Sequence, residues 1–372
     1  MRSLSLQVKI VSAEPKHHVL LARRSVSNMN TARKIKLYRM LTALAYGDAY
    51  GMPTEMMSPH QIDFAFPDGV QSLSSPPKND FFGRPFTAGQ TTDDTANAII
   101  LTKNIIDNQG IFNQSSYFDA LENYVATEPN AAQVVGPSTR AALANRLSGH
   151  SLKTCGRLGT TNGCAMKCAP LASIVSWKDK HALINSVTEL ALPTHGTNVA
   201  IMGAAMIVAA ISRGLSENSF TVEDALETAL SYGHRALYTK IGTQMPMPSM
   251  YQKCIMALEF CEGAKNLEAP LAASRDIYDY CGCGYETIET IPAVLAVVKL
   301  SQGKVSKAAR IAAEMGGDTD TIGSIACAIC SQIHYDVLPD EVRLLERVNG
   351  YQFEKLANDL ENATSLPYDV AI

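Results

Sequence analysis

The stretch VAIMGAAMIVAAI, residues 199–211, decides the fold class of this 372-residue chain. It holds no charged residue, so a helix formed by it would be apolar on every side, as in the centre of a helical protein. Its 13 residues are fewer than the roughly 18 that a membrane-spanning helix needs. We therefore predict a central helix wrapped by other helices in a soluble protein that has no membrane partner.

Helical periodicity continues on both sides of this stretch. The i, i+3, i+4, i+7 spacing of an amphipathic helix is followed by Leu37, Met40, Leu41 and Leu44. Similar patterns occupy segments 94–106, 116–125, 138–147, 163–175, 179–190, 196–211, 222–232, 250–262, 290–300, 306–315, 321–334 and 340–360. Strand patterns are scarce, so we predict an all-α, single compact multi-helix domain over residues 36–372. The Pro-, Gly- and Phe-rich residues 63–90 predict a long ordered loop beside a site.

Charge is distributed unevenly along the chain. The formal net charge is −4, but residues 1–36 hold eight Lys or Arg and one Glu, a net of +7. The remaining body is acidic, which argues against nucleic acid as the main ligand because phosphate binding requires a positive surface. We predict a basic N-terminal arm over residues 1–35, with a short strand at Val8–Val11 and a helical turn at Val19–Leu21. The arm is a disordered tail, an organellar transit peptide or a partner-binding segment.

The nine cysteines have irregular spacings, and no apolar secretory signal precedes them. This pattern indicates reduced thiols and a cytoplasmic location. Cys327 and Cys330 form a CxxC pair inside a small-residue apolar run, which is more typical of a buried helix than of a zinc or redox site.

Two acidic clusters, TTDDT at residues 91–95 and GGDTDTIG at residues 316–323, stand at predicted helix starts. One interpretation is N-capping, but a cap needs a single such residue, and close like charges are costly unless a cation compensates them. The oxygen-only donors select Mg²⁺ or Mn²⁺ rather than zinc. An EF-hand is excluded because Ile322 and Ile329 occupy two of its ligand positions. The spacing leaves a shared two-metal site and two independent caps as alternatives.

Four further features carry candidate chemistry. Asp48 follows Leu44 by four residues, so its carboxylate is expected to point inward and to need a hydrogen-bond or metal-site partner. Glu55 follows a Gly/Pro break and is expected on a mobile segment. The small-residue loop 159–167 is expected to enter a helix whose start can hold phosphate, a weak signal on its own. His195, predicted at the start of the central helix, fits a core histidine as well as a ligand.

Together these elements resemble the ADP-ribosylglycohydrolase family over about residues 36–362. The shared marks are GDAYGMPTE at 47–55, TDDT at 92–95, GPSTR at 136–140, TNGCAMK at 161–167, THG at 194–196 and GGDTDTIG at 316–323. The resemblance implies an all-α fold with a binuclear Mg²⁺ or Mn²⁺ centre. The metal ligands it implies are Thr92, Asp93, Asp94, Asp318, Asp320 and Thr321.

The resemblance also implies the other site roles. Glu55 would reach the metals from a flexible flap, and Glu55 or Asp320 would handle the proton while an activated water attacks the ribose carbon. The diphosphate would lie on the loop residues Gly159, Asn162, Gly163 and Cys164, and His195 would hold the ribose or adenine side. Thr91 and Lys167 depart from the aromatic and the arginine frequent at those positions, which leaves the pocket's shape and phosphate contacts less defined than the metal site.

The leading expectation is a hydrolase that removes ADP-ribose from modified arginine on proteins. Serine-linked ADP-ribose, O-acetyl-ADP-ribose and a free nucleoside-type substrate are the alternatives. A different class of function is an immunity protein whose arm occludes the active site of a cognate ADP-ribosyltransferase toxin, since complementary charge steers association. A metal-dependent phosphohydrolase is a third alternative, which the absence of a His-Asp dipeptide disfavours.

Overall fold

The computed structural model describes residues 16–78, 80–236, 240–262 and 269–364. Within these ranges the chain forms helices and isolated β-bridges but no strand. The α-helices are α1 Lys16–Gly51, α2 Pro59–Ala65, α3 Asp93–Asp107, α4 Gln114–Thr127, α5 Ala131–Val134, α6 Pro137–Leu147, α7 Lys180–His195, α8 Asn198–Ser216, α9 Val222–Ala236, α10 Met250–Glu262, α11 Ala269–Cys281, α12 Thr287–Leu300, α13 Val305–Met315, α14 Thr319–Cys330, α15 Pro339–Asn349 and α16 Phe353–Thr364. Short 3-10 helices occupy Met52–Thr54, Asn162–Cys164 and Ala169–Ser173. The all-α prediction is confirmed.

Helix α8 is the centre of the hydrophobic core, as the apolar stretch predicted. The Thr197 hydroxyl accepts a hydrogen bond from the Ala200 amide and so caps its N-terminus. Helix α8 has the length and apolar composition of a membrane span, but 89% of its most apolar window is buried inside the protein. Its neighbours are α7, α9, α12 and α14. The apolar composition of α8 is therefore accounted for by packing against other helices.

Helices α1 and α14 form the most extensive helix pair and cross with their backbones nearly touching. A Cβ atom added to Gly47 would lie 2.1 Å from the Gly323 carbonyl oxygen, and one added to Gly51 would lie 2.3 Å from that of Thr319. The Thr319 hydroxyl also donates to the Gly51 carbonyl oxygen at 2.8 Å. The glycines are needed here because any larger residue would force apart the helices that carry Asp48 and Asp320.

We expect Gly47→Ala to lower the free energy of unfolding by about 3 kcal/mol, the upper range for overpacking a well-packed core. Gly136→Ala is the matched control, because an added Cβ at Gly136 meets no atom within 4 Å. Urea unfolding of the two variants measures the difference. Equal unfolding midpoints would show that the α1–α14 crossing tolerates separation.

Several predicted helix boundaries were wrong. Helix α1 begins at Lys16 rather than near Leu37, so the predicted arm boundary at residue 35 lies inside a continuous helix. Segment 163–175 forms two 3-10 helices separated by a turn. Segment 340–360 is two helices, because Gly350 adopts a left-handed conformation (φ 73°) that ends α15. Helices α2, α5 and α11 were not predicted. The proposed strand at Val8–Val11 lies outside the described residues.

Basic residues at the end of the predicted arm and just beyond it bind the body of the domain. The Arg33 guanidinium pairs with the Glu361 carboxylate and donates to the Ser173 carbonyl oxygen at 2.6 Å. The Lys36 ammonium donates to the carbonyl oxygens of Gly214 and Glu217. Helix α1 is therefore attached to the rest of the protein before its apolar stripe begins.

Candidate active site

The two acidic clusters meet at the N-termini of α3 and α14. Asp93 and Asp94 begin α3, and Asp320 and Thr321 lie in the first turn of α14, directly after Asp318. The Thr321 hydroxyl donates to Asp94 Oδ2 at 3.2 Å and so connects the two clusters. All five side chains line one cavity of about 380 Å³, which we name the acidic cavity. The positive ends of the two helix dipoles therefore point toward the same group of carboxylates.

The carboxylates of the acidic cavity lie close enough together for their charges to call for a compensating cation. One carboxylate oxygen from each of Glu55, Asp318 and Asp320 lies within 4.8 Å of the other two. Burial and the charge of Asp320 raise the pKa of Asp93, Asp94 and Asp318 well above the usual range. Asp94 Oδ1 and Asp320 Oδ1 are buried without a hydrogen-bond partner. Unpartnered buried oxygens in an all-oxygen donor set fit a hard divalent cation such as Mg²⁺ or Mn²⁺.

The capping interpretation holds for one residue only. The Thr92 hydroxyl accepts from the Asp94 amide and caps α3, whereas Asp318 makes no side-chain capping bond at the start of α14. Thr92 also donates to Asp48 Oδ1 at 3.0 Å, and it is absent from the lining of the acidic cavity. Of the six ligands that the resemblance implied, Thr92 is thus the one whose side chain does not line the acidic cavity and instead contacts Asp48.

Asp48 is the inward-facing carboxylate that the sequence predicted, and it is fully buried. It accepts hydrogen bonds from the amides and hydroxyls of Thr92 and Thr95 and therefore fixes the start of α3 against α1. Burial and the nearby Asp320 carboxylate raise the pKa of Asp48 to about 7, although these hydrogen bonds oppose the rise. Asp48 therefore helps to position Asp93 and Asp94 without lining the acidic cavity itself.

Glu55 is held by the protein on two sides rather than lying on a free flap. The backbones of Met56 and Met57 pair with that of Gly317 through hydrogen bonds of 2.7 and 2.9 Å. The Glu55 carboxylate forms an ion pair with the guanidinium of Arg84, whose side chain is fully buried. Burial and Asp320 raise the pKa of Glu55 well above its usual range, and Arg84 opposes that rise.

Arg84 is a site residue that sequence reasoning missed. Its guanidinium donates to Asp80 Oδ1 and to the Met52 carbonyl oxygen, both at 2.9 Å, and it lies over the rings of Phe82 and Phe86. The available signal was a lone arginine among aromatic residues in the loop predicted beside the site. The described part of that loop contributes Phe81 and Phe82 to the cavity, as its predicted place beside a site required.

We expect Arg84→Gln to destabilise the protein by about 3 kcal/mol, because it leaves the carboxylates of Glu55 and Asp80 without their buried cation. The matched control is Arg275→Gln, which removes a largely exposed ion pair with Asp63 and should cost less than about 1 kcal/mol. Urea unfolding without added metal measures both. Equal losses in the two variants would contradict the role of Arg84.

The predicted substrate loop divides into residues that face the acidic cavity and residues that do not. Asn162, Gly163 and His195 line this cavity, whereas Gly159 lines a neighbouring one and Cys164 is fully buried. The Asn162 amide donates to Asp318 Oδ2 and to Thr290 Oγ1, so its hydrogens bind protein groups. The loop enters a three-residue 3-10 helix rather than the predicted α-helix. His195 ends α7 rather than starting α8.

The neighbouring cavity, which we name the side cavity, has a volume of about 340 Å³. It shares Pro137, Thr161 and Tyr285 with the acidic cavity. Further residues that the sequence did not single out, among them Phe81, Phe82 and Tyr285, line the acidic cavity. Arg140, the last residue of the GPSTR motif, lines it too. The two cavities therefore adjoin each other at Pro137, Thr161 and Tyr285.

Thr91 and Lys167, the two residues that depart from the family pattern, are both held by contacts within the protein. The Thr91 hydroxyl lies 2.9 Å from the Tyr351 hydroxyl and 3.3 Å from the Asn349 side-chain oxygen. The Lys167 ammonium is buried over the Tyr117 ring and donates to Thr194 Oγ1 at 3.0 Å. Lys167 does not line either cavity. A direct phosphate contact by Lys167 is therefore not part of this geometry.

Comparison with known proteins yields relatives of matching length. An uncharacterised Escherichia coli protein, YegU, is 29% identical over 342 residues, covering 88% of this chain and 97% of that protein. An uncharacterised protein from Archaeoglobus fulgidus is 26% identical over 331 residues, covering 87% and 95%. A solved structure described as an ADP-ribosylglycohydrolase-related protein complex superposes with a TM-score of 0.64 at 18% identity, covering 90% of this chain and 99% of that one.

The sequence model of the ADP-ribosylglycohydrolase family matches residues 29–369. This range contains every residue of the acidic cavity and nearly the whole described chain. The match extends seven residues before the start of the resemblance seen in the sequence, in keeping with a helix α1 that begins before Leu37. The chain belongs to the ADP-ribosylglycohydrolase family.

Proposed function

We propose that the protein is a divalent-metal-dependent hydrolase that removes ADP-ribose from ADP-ribosylated arginine on proteins. The observation that carries this proposal is the meeting of two acidic helix starts in one cavity, with buried carboxylate oxygens left unpartnered. The side cavity, joined to the acidic cavity at Thr161 and Tyr285, gives an elongated substrate a second compartment.

Residues on both helices would hold Mg²⁺ or Mn²⁺, namely Asp93, Asp94, Asp318, Asp320 and Thr321. Bound divalent cations supply Lewis acidity and a water-derived nucleophile at neutral pH. The Glu55 carboxylate, with a pKa raised by burial, is suited to accept a proton from water and return it to the leaving nitrogen. Arg84 keeps this carboxylate directed at Asp318 and Asp320.

The arginine linkage is favoured by the exposed aromatic residues that line the acidic cavity. Phe81 and Tyr285 line the acidic cavity and remain 68% and 44% exposed. A guanidinium is a planar cation, which binds well to aromatic faces beside carboxylates. A neutral serine or acetyl leaving group gains less from such surroundings.

The observed contacts favour an enzyme over an immunity protein that acts through its arm alone. Arg33 and Lys36, two of the eight basic residues in segment 1–36, bind the body of the domain instead of facing a partner. Their charges are therefore not available to a toxin.

The test is release of ADP-ribose from arginine-linked, serine-linked and O-acetyl substrates, each with Mg²⁺, with Mn²⁺ and with chelator. We expect metal-dependent release from arginine and slower release from the other two. Glu55→Gln is the matched variant, since it keeps the size of the side chain but cannot carry the proton. Release from serine alone would overturn the arginine assignment, and no release from any linkage would overturn the hydrolase proposal.

A further inference from the structure

A chain of hydrogen bonds runs from a buried cation to the wall between the two cavities. Lys167 Nζ lies 3.0 Å from Thr194 Oγ1, which lies 2.7 Å from His195 Nδ1. His195 Nε2 lies 3.1 Å from Thr161 Oγ1, and that oxygen lies 2.9 Å from Ser138 Oγ. Lys167, Thr194 and His195 are each only 1% exposed, so water does not compete for these contacts.

The bonds at the cavity end fix the direction of the chain. The Thr161 hydroxyl donates its single hydrogen to Ser138 Oγ, so the hydrogen between Thr161 and His195 must belong to Nε2. At the other end, the Lys167 ammonium donates to Thr194 Oγ1, and the Thr194 hydroxyl hydrogen is available to His195 Nδ1.

The remaining bonds follow from the protonation state of His195. Burial and the charge of Lys167 hold the pKa of His195 well below its usual range, so the ring is neutral. A neutral imidazole that carries its hydrogen on Nε2 has none on Nδ1, which therefore accepts from the Thr194 hydroxyl. Thr161 then donates to Ser138, whose own hydroxyl hydrogen is free to turn toward the side cavity that it lines.

Gly163 keeps the ring in this position. A Cβ atom added there would lie 2.6 Å from His195 Nε2 and 2.7 Å from Cε1. The ring edge thus packs directly against the loop backbone, with no room to turn away from Thr161.

We propose that Lys167 and Thr194 are positioning residues that hold His195 in its Nε2–H tautomer, so that the chain of bonds ends in a hydroxyl donor offered to an acceptor oxygen of the substrate. This inference rests on the proposed function only for the identity of that substrate. The preference for one tautomer is a property of the protein itself. Thr161 lines both cavities, so the chain of bonds reaches the boundary between them.

The first test is nuclear magnetic resonance of protein labelled with ¹⁵N-histidine, with His195→Gln used to assign the signals. We expect the wild type to show the Nε2–H tautomer, and Lys167→Met and Thr194→Val to show a mixture of tautomers. Thr102→Val is the matched control, because Thr102 is also fully buried but its hydroxyl donates only to Ala98 within α3. An Nδ1–H tautomer in the wild type would overturn the inference.

The second test is calorimetric binding of ADP-ribose. We expect Lys167→Met and Thr194→Val each to weaken the binding of ADP-ribose by about tenfold, the loss typical of one hydrogen bond. The double variant should bind no more weakly than either single variant, because both residues act through one chain of bonds. Additive losses, or losses equal to that of Thr102→Val, would contradict the positioning role. If wild-type protein does not bind ADP-ribose, the proposed function fails while the tautomer result still decides this inference.

Discussion

Substitution of Asp318 and Asp320 together by asparagine is expected to reduce ADP-ribose release by at least about a thousandfold, the scale of losing an essential metal centre. These two side chains supply the α14 half of the acidic cavity, and one oxygen from each lies within 4.8 Å of a Glu55 oxygen. Asparagine keeps the shape but removes both charges. Initial rates on an arginine-linked substrate with saturating Mg²⁺ give the measurement.

Calorimetric measurement of Mn²⁺ binding distinguishes loss of the metal site from loss of the fold. The double variant should show no Mn²⁺ binding in the micromolar range, whereas its folding should be intact because two repelling charges have been removed. Asp340→Asn is the control, since Asp340 is an exposed residue in the first turn of α15. A double variant that retains rapid release would show that α14 does not carry the reaction.

The second large effect concerns stability without metal. Burial and mutual repulsion raise the pKa of Asp48, Glu55, Asp93, Asp94 and Asp318 above their values in an unfolded chain. Between the unfolded and folded pKa values the native state binds more protons than the unfolded state, so stability falls as pH rises. For Asp48 this window runs from about 4 to about 7. We expect the metal-free protein to lose about 3 kcal/mol between pH 5 and pH 8.

Saturating Mg²⁺ should remove most of this loss, because bound cations compensate the ionised carboxylates. His195 contributes with the opposite sign, since its lowered pKa makes stability rise as pH rises toward its usual pKa. That contribution is the same with and without metal and cancels in the difference. Urea unfolding at several pH values, with Mg²⁺ or chelator, measures the effect. A difference between the two conditions that does not grow with pH would contradict it.

The helical fold was readable from the sequence because its signals are local. The apolar run of α8 and the periodic stripes of most other helices depend on residues three or four positions apart. The wrong predictions concern segments in which a single residue, or a contact with residues distant in sequence, determines the local structure. Gly350 breaks a continuous pattern, and segment 163–175 follows the packing of its neighbours into two 3-10 helices. Helix α1 extends to Lys16 through a stretch with no sustained apolar period.

The acidic residues of the site were also predictable, since they carry their chemistry in short motifs. The sequence could not show what surrounds them. The pairing of Glu55 with Arg84 joins residues 29 positions apart through a loop without periodicity. The positions of Asn162 and His195 depend on how their loops pack, so the hydrogen bond between Asn162 and Asp318 could not be predicted.

The close packing of α1 against α14 determines when the acidic cavity can form during biosynthesis. The ribosome makes Asp94 227 residues before its partner Thr321, and α1 is completed even earlier. Until α14 emerges, the glycine face of α1 has no backbone to pack against, and a nascent chain holds only the first half of the carboxylates. Pairings so distant in sequence form late in folding. The cavity that would hold divalent cations is therefore completed only near the end of synthesis.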